Sequence, residues 1–477
     1  MRKLVLAFMA ALLLAAAPAA HAAATKLTIT GAGFGHGIGM SQYGTYGYSL
    51  HLKTYDYILS HYYSGTTLGA LDANPEVKVL LQGSKKSISF AGGLNAGDQK
   101  LDPAQTYTVR RSAAGLDLRD VTGKSVGTVA GTLRVDAPVG QPLRLHGTSV
   151  PGVRDGLYRG SLLISASGSG LIAVNALDLE DYVRGVVSGE SPSAWPTEAL
   201  KAQAVAARTY AITSHAGGAV FDQYADTRSQ VYRGVSAETP NTDAAVQATT
   251  GQVVTFGGQP VTTYFFSTSG GETEDVENSF VGSQPKPWLK AVDDPFDSVS
   301  PKHRWGPFRF TAVQVQRKLH RYLQGRFKSI KVLERGVSPR VVRAQVVGTG
   351  GVTNVTGPQL RSAFGLFDTW AFFTSVTSKA SKTKPPAKKP TATPADPTGG
   401  VSPVARAAAV HASRLEGTIA PARVGRWVRV ERREGTRWVA ATDGKVLRGG
   451  RYSVAVPAPG VYRVVYGQAV GPSVRVS

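Results

Sequence analysis

The chain of 477 residues has no cysteine. Disulfides and thiolate metal sites are therefore excluded, and its stability must come from packed cores. Acidic residues are short: 32 Asp and Glu stand against 54 Lys and Arg, a formal net charge of +22. Long apolar runs are scarce too. Beyond Leu4–Ala17, no stretch approaches the roughly 20 apolar residues that a membrane helix needs. Two nucleotide signatures and one hydrolase signature are also missing. The glycines at 31, 33, 35, 37 and 39 alternate, but G-x-G-x-x-G spacing is not met from any of the first three, and no Gly-Lys-Ser/Thr follows. The serines near Ser267 lie outside any G-x-S-x-G elbow, which argues against a serine hydrolase.

Arg2 and Lys3 precede the apolar run, and Ala20-His21-Ala22 closes it in an A-x-A pattern. Residues 1–22 are therefore expected to be a cleaved signal peptide, with the mature protein secreted and extracellular or associated with the cell wall. The run is too short and too rich in alanine to favour an uncleaved anchor. The positive charge is concentrated at the other end, where residues 379–477 hold eighteen Lys and Arg against five Asp and Glu, a net of +13. Nucleic acid is the usual partner of such a balance. Outside the cell, anionic wall polymers or lipid headgroups are the expected partners of this basic C-terminal region, and nucleic acid is not.

In chain order, a strand is expected near Leu27–Thr30, followed by the glycine string Gly31–Leu50. Alternating glycine lets the backbone approach another surface closely and leaves His36, Ser41, Gln42 and Tyr43 as polar handles. A helix with Thr54 as cap and Gly65 as stop comes next. Short β-rich runs broken by Gly, Pro, Asn and Asp fill 77–174 (Val77–Leu81, Tyr107–Arg110, Thr132–Val135, Leu162–Ser165 and Leu171–Val174), the pattern of an antiparallel scaffold. Further on lie a helical stretch near Thr242–Thr249, a strand at Gln252–Phe256, and a β-run from Val261 that breaks into Ser267-Thr-Ser-Gly-Gly-Glu-Thr273. Hydroxyls and free N–H groups at that strand end suit a sugar. Beyond Trp305 the pattern gives a helix at Ala312–Leu323, strands at Ile330–Leu333 and Val341–Gly348, and a helix at Thr356–Phe364. Residues 379–403, rich in Pro, Lys, Thr and Ala, read as a disordered linker. Residues 404–477 read as a small β-sandwich, with strands at Trp427–Glu431, Arg437–Ala440, Tyr452–Val456, Val461–Val465 and Val474–Val476.

The centre is Leu177–Tyr210, LDLEDYVRGVVSGESPSAWPTEALKAQAVAARTY. Asp178 and Asp181 have capping-box spacing, and Val183, Val186 and Val187 share one helical face. Gly185 and Gly189 should loosen the end of this helix, while Pro192 and Pro196 bar its continuation. The second helix, from Glu198 to about Ser214, is mostly Ala, Leu and Val and should be buried on several sides. Glu190 falls in the break between the two helices. Beside a buried helix it can combine a raised pKa with access to substrate, although a solvated loop glutamate is the plain alternative.

Taken together, Leu177–Tyr210, Ser229-Gln-Val-Tyr232, Tyr264–Thr273 and Gly35-His-Gly-Ile-Gly-Met-Ser-Gln-Tyr-Gly44 resemble the stage II sporulation protein D (SpoIID/LytB) family, with looser likeness at Ser338–Arg340 and Gly357–Gly365. The resemblance covers about Gly31–Phe373. It implies an α+β fold, a mostly antiparallel β catalytic domain at 25–375 with a central buried helix pair, to which the linker and the β-sandwich read from composition and alternation are added. It further implies a lytic transglycosylase that cuts the MurNAc–GlcNAc glycan strands of peptidoglycan with Glu190 as acid and base, on strands stripped of stem peptides; no cofactor is expected, and the lack of cysteine leads to the expectation of no metal. One carboxylate is enough there, because the muramic C6 hydroxyl is an internal nucleophile, whereas an ordinary glycosidase uses two. The implied substrate-binding residues are Gln203, Arg208, Tyr210, Tyr264, Ser267, Ser269, Gly270, Gly271, Thr273, His36, Ser41, Gln42 and Tyr43. Glu180, Asp181, Glu272 and Glu274 are candidate neighbours of Glu190.

The chain departs from the family pattern twice. The GHGxGMSQ motif precedes everything here, whereas in the sporulation proteins it is associated with the C-terminal side of the domain. A Cys/His metal cluster found in some members has no counterpart, since His215 is present without cysteine. The rival reading is a non-catalytic wall-binding protein that enhances a separate N-acetylmuramoyl-L-alanine amidase.

Overall fold

A computed structural model describes residues 25–150, 152–377, 414–419, 427–456, 458–466 and 469–476. The expected signal segment 1–22 and linker 379–403 lie outside the described residues. The chain divides into two compact units, Lys26–Ser375 and the remainder. The fold is mixed α+β and rich in strand.

In the larger unit, two sheets share one apolar core. The seven-stranded sheet runs in the order Gln223–Tyr224, Glu76–Lys85, Gly170–Asp178, Ser161–Ser167, Leu133–Asp136, Asn95–Ala96, Gln99–Lys100. The six-stranded sheet runs Ser125–Val129, Gly115–Arg119, Thr106–Ser112, Ser87–Ala91, Leu143–Thr148, Arg154–Tyr158. Their pairings are antiparallel except for Gln223–Tyr224, which runs parallel to Glu76–Lys85. Alternating residues such as Val77, Val79 and Leu81 enter the core, the period of two expected of strands with one buried face.

Helices lie against this scaffold. The glycine string does not stay a loop: Ser41 caps helix α1 (Gln42–Leu50) by accepting from the Gly44 N–H at 3.1 Å. Helix α2 is Tyr55–Tyr62, α3 is Leu179–Glu190, α4 is Thr197–Thr213 and α5 is Pro240–Gln247. Among the described residues, no helix is long and apolar enough to cross a membrane.

Helix α4 explains its own composition. Leu200, Ala204, Ala207 and Ala211 pack into the sheet core. Ala202, Val205 and Ala206, on the other side, join a second core with Ile58, Leu59 and Tyr62 of α2 and Met40. A helix covered on both sides has no use for a polar stripe, and small side chains let both layers come close.

Helix α3 differs from expectation in two respects. It continues through Glu190, so this carboxylate sits on the last helical residue and not in the break. Gly185 and Gly189 do not loosen it. They are where the segment at 231–234 is pressed against the helix: a Cβ on Gly185 would lie 2.4 Å from the Tyr232 ring, and one on Gly189 would lie 2.3 Å from the Val231 carbonyl oxygen. Asp178 is the N-cap residue, but its side chain makes no capping bond.

A third core involves the strand Thr25–Ala32, which lies between Arg304–Phe310 and Ala371–Thr377, and the meander Phe327–Arg335, Val341–Gly348, Val352–Thr356. Three more helices complete the unit: α6 (Val276–Ser279), α7 (Ala312–Lys318) and α8 (Gly357–Phe364). Helix α7 ends before Leu323 because the chain turns at Leu319–Tyr322. In the smaller unit, Arg414–Thr418 pairs with Arg451–Ala455, and Trp427–Glu434 lies between Arg437–Lys445 and Gly460–Tyr466. Leu415 and Val454 from the first pair share one core with Val428, Val430, Tyr462 and Val464 from the second sheet.

Candidate active site

Glu190 is held where three segments meet. Its Oε1 accepts from the Val231 N–H at 2.7 Å, an approach that the absence of a side chain at Gly189 permits. Its Oε2 accepts from Gln42 Nε2 at 3.1 Å, and Gln42 also donates to Gln203 Oε1 at 3.3 Å. The first residue of α1, the last of α3 and the middle of α4 are thus joined in one polar chain inside an apolar surround. Burial raises the pKa of Glu190, opposed by the Val231 N–H, the Gln42 amide and the charge of Arg233. The residue nevertheless keeps a partly exposed edge. A carboxyl group that packing pushes towards the protonated form, and that solvent still reaches, is equipped to give up a proton.

Beside it stands an aromatic platform. Trp195, in the turn between α3 and α4, stacks on Tyr46 with centroids 5.0 Å apart and planes inclined at 13°, and meets Tyr43 edge-on at 5.2 Å. All three rings are partly exposed. Exposed aromatic faces offer apolar area at small entropic cost and suit the flat faces of sugar rings. Two buried polar atoms nearby in sequence or contact, Ser191 Oγ and Gln203 Nε2, have no hydrogen-bond partner among the described residues, an arrangement usually completed by water or ligand. Trp195, Tyr46, Ser191 and Val231 were missed from sequence. The available signal was a tryptophan between Pro192 and Pro196, close to a lone carboxylate.

The structure brings Gln42 to Glu190 and Gln203 to Gln42, sets Tyr43 against Trp195, and distributes the other expected residues elsewhere. Arg208 is fully buried. It pairs with Glu180 through Nε–Oε1 at 2.7 Å and Nη2–Oε2 at 2.8 Å, and also donates to the Gln252 and Val246 carbonyls. A substrate cannot reach it. Tyr210 is largely buried, edge-on to Tyr264 at 5.8 Å. Tyr264 is partly exposed, and its carbonyl accepts from Met40 N–H and Tyr63 Oη.

The Ser267–Thr273 turn is not a set of free donors. Asp297, which is fully buried, accepts from Ser41 Oγ (3.0 Å), Ser269 N–H (2.8 Å) and Gly270 N–H (2.9 Å), and pairs with His303 Nδ1 at 2.9 Å. The Gly271 N–H donates to Ser269 Oγ, and Thr273 Oγ1 accepts from Val292 N–H. Ser41, Ser269, Gly270, Gly271 and Thr273 therefore spend these groups on the fold. Ser267 remains partly exposed, and its carbonyl anchors the Tyr43 N–H at 3.0 Å. From beneath, Arg340 ties the same turn down by donating to the Ser269 and Glu272 carbonyls while pairing twice with Asp368, at 2.9 and 3.0 Å. A Cβ on Gly37 would lie 2.4 Å from Arg340 Nε, so the close approach expected of the glycine string occurs here.

His36 is internal as well. Its Nδ1 accepts from the Ile38 N–H at 3.1 Å, so the proton sits on Nε2, which donates to the Phe265 carbonyl at 3.0 Å. Burial and the nearby Arg361 push its pKa down to about 3, and the ring stays neutral. Three of the four carboxylates considered as neighbours of Glu190 are engaged elsewhere: Glu180 with Arg208, Asp181 with Arg159 and Arg184, and Glu274 with Ser338 and Asn278; the fourth, Glu272, lies beside Asp293, and burial with the like charges of Asp293 and Glu274 raises it to about 7.

Residues 167–256, which contain α3, α4 and the Val231 segment, match the family model described as stage II sporulation protein. The chain is 34% identical over 211 residues to stage II sporulation protein D of Bacillus subtilis, covering 41% of this chain and 60% of that protein. It is 38% identical over 152 residues to an uncharacterised protein of Brachyspira hyodysenteriae, covering 28% of this chain and 41% of that protein. It is 43% identical over 115 residues to the amidase enhancer of Bacillus subtilis, covering 24% of this chain and 15% of that protein. The matched stretches thus span less than two thirds of each relative.

Proposed function

From a chain that belongs to the SpoIID/LytB family through its central helices, we propose that the Lys26–Ser375 unit is a secreted lytic transglycosylase acting on the glycan strands of peptidoglycan. The family and the relative named as an amidase enhancer support a role at the cell wall. The observation that carries the finer reading is Glu190: one partly exposed carboxyl group with a raised pKa, beside an aromatic platform, with three of the four candidate neighbouring carboxylates committed elsewhere.

Protonated Glu190 gives its proton to the glycosidic oxygen as the C1–O bond of the muramic residue breaks. The resulting carboxylate then takes the proton of the C6 hydroxyl as that oxygen bonds to C1. The products are a 1,6-anhydro end and a free hydroxyl on the leaving sugar, with no water consumed. Gln42 and the Val231 N–H hold the carboxylate in place for the second step, and the opposing effects of burial and these donors bring acid and base forms within reach of each other. Ser269 cannot stabilise the oxocarbenium ion, being fully buried. The substrate's own acetamido group is the nearer source. Tyr43, Tyr46 and Trp195 form the platform for flanking sugars. The basic C-terminal unit would hold anionic wall polymers.

A second reading has its own support. Both oxygens of Glu190 are satisfied internally, as a structural acceptor would be, and one relative is named as an amidase enhancer. Mass spectrometry of products from intact and peptide-stripped peptidoglycan, beside a Glu190→Gln control, separates the two. Anhydro-muramyl ends that vanish in the control are expected. Reducing ends would overturn the mechanism, and binding without products would favour the enhancer.

A further inference from the structure

In the Lys26–Ser375 unit, outside the Glu190 site, a cavity of about 340 Å³ opens between α6, the start of α8 and the His36 loop, within the roughly 300–1,000 Å³ range of small-molecule sites. Its cationic wall is Arg361 of α8. The Nε of this half-buried guanidinium donates to the Leu366 carbonyl at 3.4 Å, and no carboxylate among the described residues lies within ion-pair distance of it. Asp368 is the acid whose charge bears on Arg361, but both its oxygens are taken by Arg340, and Oδ1 also accepts from the Trp370 N–H. Burial and the charge of Arg340 work against the positive charge of Arg361. An anion in the cavity would relieve that cost.

The remaining lining narrows the class. Thr356, Thr369 and Ser279 line the cavity with Phe280; the Ser279 hydroxyl donates to the His36 carbonyl and the Thr356 hydroxyl caps α8, and His36 is neutral and so adds no second cation. A doubly charged phosphate would find one guanidinium and an aromatic ring. A single carboxylate on a compact, partly apolar body matches both.

We propose that this cavity is a binding site for small carboxylates, with Arg361 taking the carboxylate and Phe280 packing against the apolar part. In a wall-acting protein, that chemistry is supplied by the C-terminal carboxylate of a short peptide or by the lactyl carboxylate of a muramic sugar. The choice of these sources rests on the proposed function. Binding of a carboxylate does not.

Calorimetric titration of the full chain carrying Glu190→Gln tests this with acetyl-alanyl-alanine, N-acetylmuramic acid and the amide of each. At least one carboxylate should bind, its amide should bind at least about tenfold more weakly, and Arg361→Gln should weaken the carboxylate to the level of the amide. Thr369→Val, which keeps the charge, should weaken binding by a smaller factor and serves if Arg361→Gln unfolds. The better of the two carboxylates identifies the source. Equal binding of acid and amide, binding unchanged in a folded Arg361→Gln protein, or no heat from either carboxylate at millimolar concentration would each overturn the proposal. Because cleavage plays no part in the readout, failure of the transglycosylase reading and failure of this site are separable.

Discussion

Arg208→Met is the sharpest test of whether the helix pair is held by a buried ion pair or whether Arg208 serves substrate. The substitution keeps the stem length and removes four hydrogen bonds: two to Glu180, at 2.7 and 2.8 Å, and two to the Gln252 and Val246 carbonyls. Glu180, whose side chain is 16% exposed, would keep only the Gly251 N–H at 3.1 Å. Breaking one half of a buried pair costs about 3–5 kcal/mol. The unit spans Lys26–Ser375, roughly 350 residues, and at ~2.1 cal/mol/K per residue its unfolding entropy is about 0.7 kcal/mol/K. The expected fall in Tm is therefore about 4–7 °C. Adding Glu180→Gln should restore part of it, because the stranded charge disappears. Differential scanning calorimetry of the wild type, both single variants and the double variant reads this directly, and glycan affinity should be unchanged wherever the protein is folded. A Tm within about 1 °C of wild type together with weakened glycan binding would refute the argument.

Glu190→Gln should change the pH dependence of stability. The folded pKa lies above the ordinary value of 4.5, so the native state binds the proton more tightly than the unfolded chain does. That contribution is complete below the unfolded pKa and is lost as pH rises through the folded one. Relative to wild type, the Gln variant should therefore gain stability as pH climbs from about 4.5, as chemical denaturation at a series of pH values would show; a difference independent of pH would count against a raised pKa. Trp195→Ala should weaken glycan binding by roughly two- to tenfold, since one stacking face is worth about 0.5–1.5 kcal/mol, and should also lower Tm, because the ring packs on the core and on Tyr46; calorimetry with glycan fragments checks this, and unaltered affinity in a folded variant would remove the platform from the site. Gly189→Ala places a methyl group 2.3 Å from the Val231 carbonyl oxygen and should displace the N–H that holds Glu190, abolishing turnover in a protein that still folds. Asp297→Ala strands the Ser41 hydroxyl and the Gly270 N–H, leaves the Ser269 N–H only Ser41 Oγ at 3.2 Å, and should cost several kcal/mol, about 1–3 for each unsatisfied buried group, measured by denaturation.

Much of the β scaffold and the helix pair was legible because their periodicities are strong and face in one direction. Alternation at Val77, Val79 and Leu81 marks a strand with one buried side, and the Ala-rich run of α4 marks a helix buried on both. Helix α1 was hidden because Gly44 and Gly47 look like loop residues. They are in the helix to let it touch other groups: a Cβ at Gly44 would lie 2.0 Å from Tyr62 Oη, and one at Gly47 would lie 2.3 Å from the Phe296 carbonyl oxygen. Close approach and loop flexibility leave the same residue in a sequence. The misplacement of Arg208, Ser269 and Gly270 has a similar origin. Their partners, Glu180 and Asp297, are 28 and 27–28 positions away, and no local pattern tells a donor that faces a sugar from one that faces a buried carboxylate. Glu190 itself was readable as a carboxylate next to a buried helix. Its grip by Val231, 41 residues on, was not.

The first and last strands of the larger unit are neighbours in one three-stranded sheet, so the chain enters and leaves the domain side by side. Such an arrangement is a ring with a nick in it. Its packing specifies a cyclic order of elements and is indifferent to where that order begins. The GHGxGMSQYG string, first in this chain, reaches Glu190 through Gln42 as well as it would from the far end. Linking residue 375 back to residue 26 and reopening the ring at an exposed turn, such as Gly123, would yield a protein with the motif order reversed and the same site.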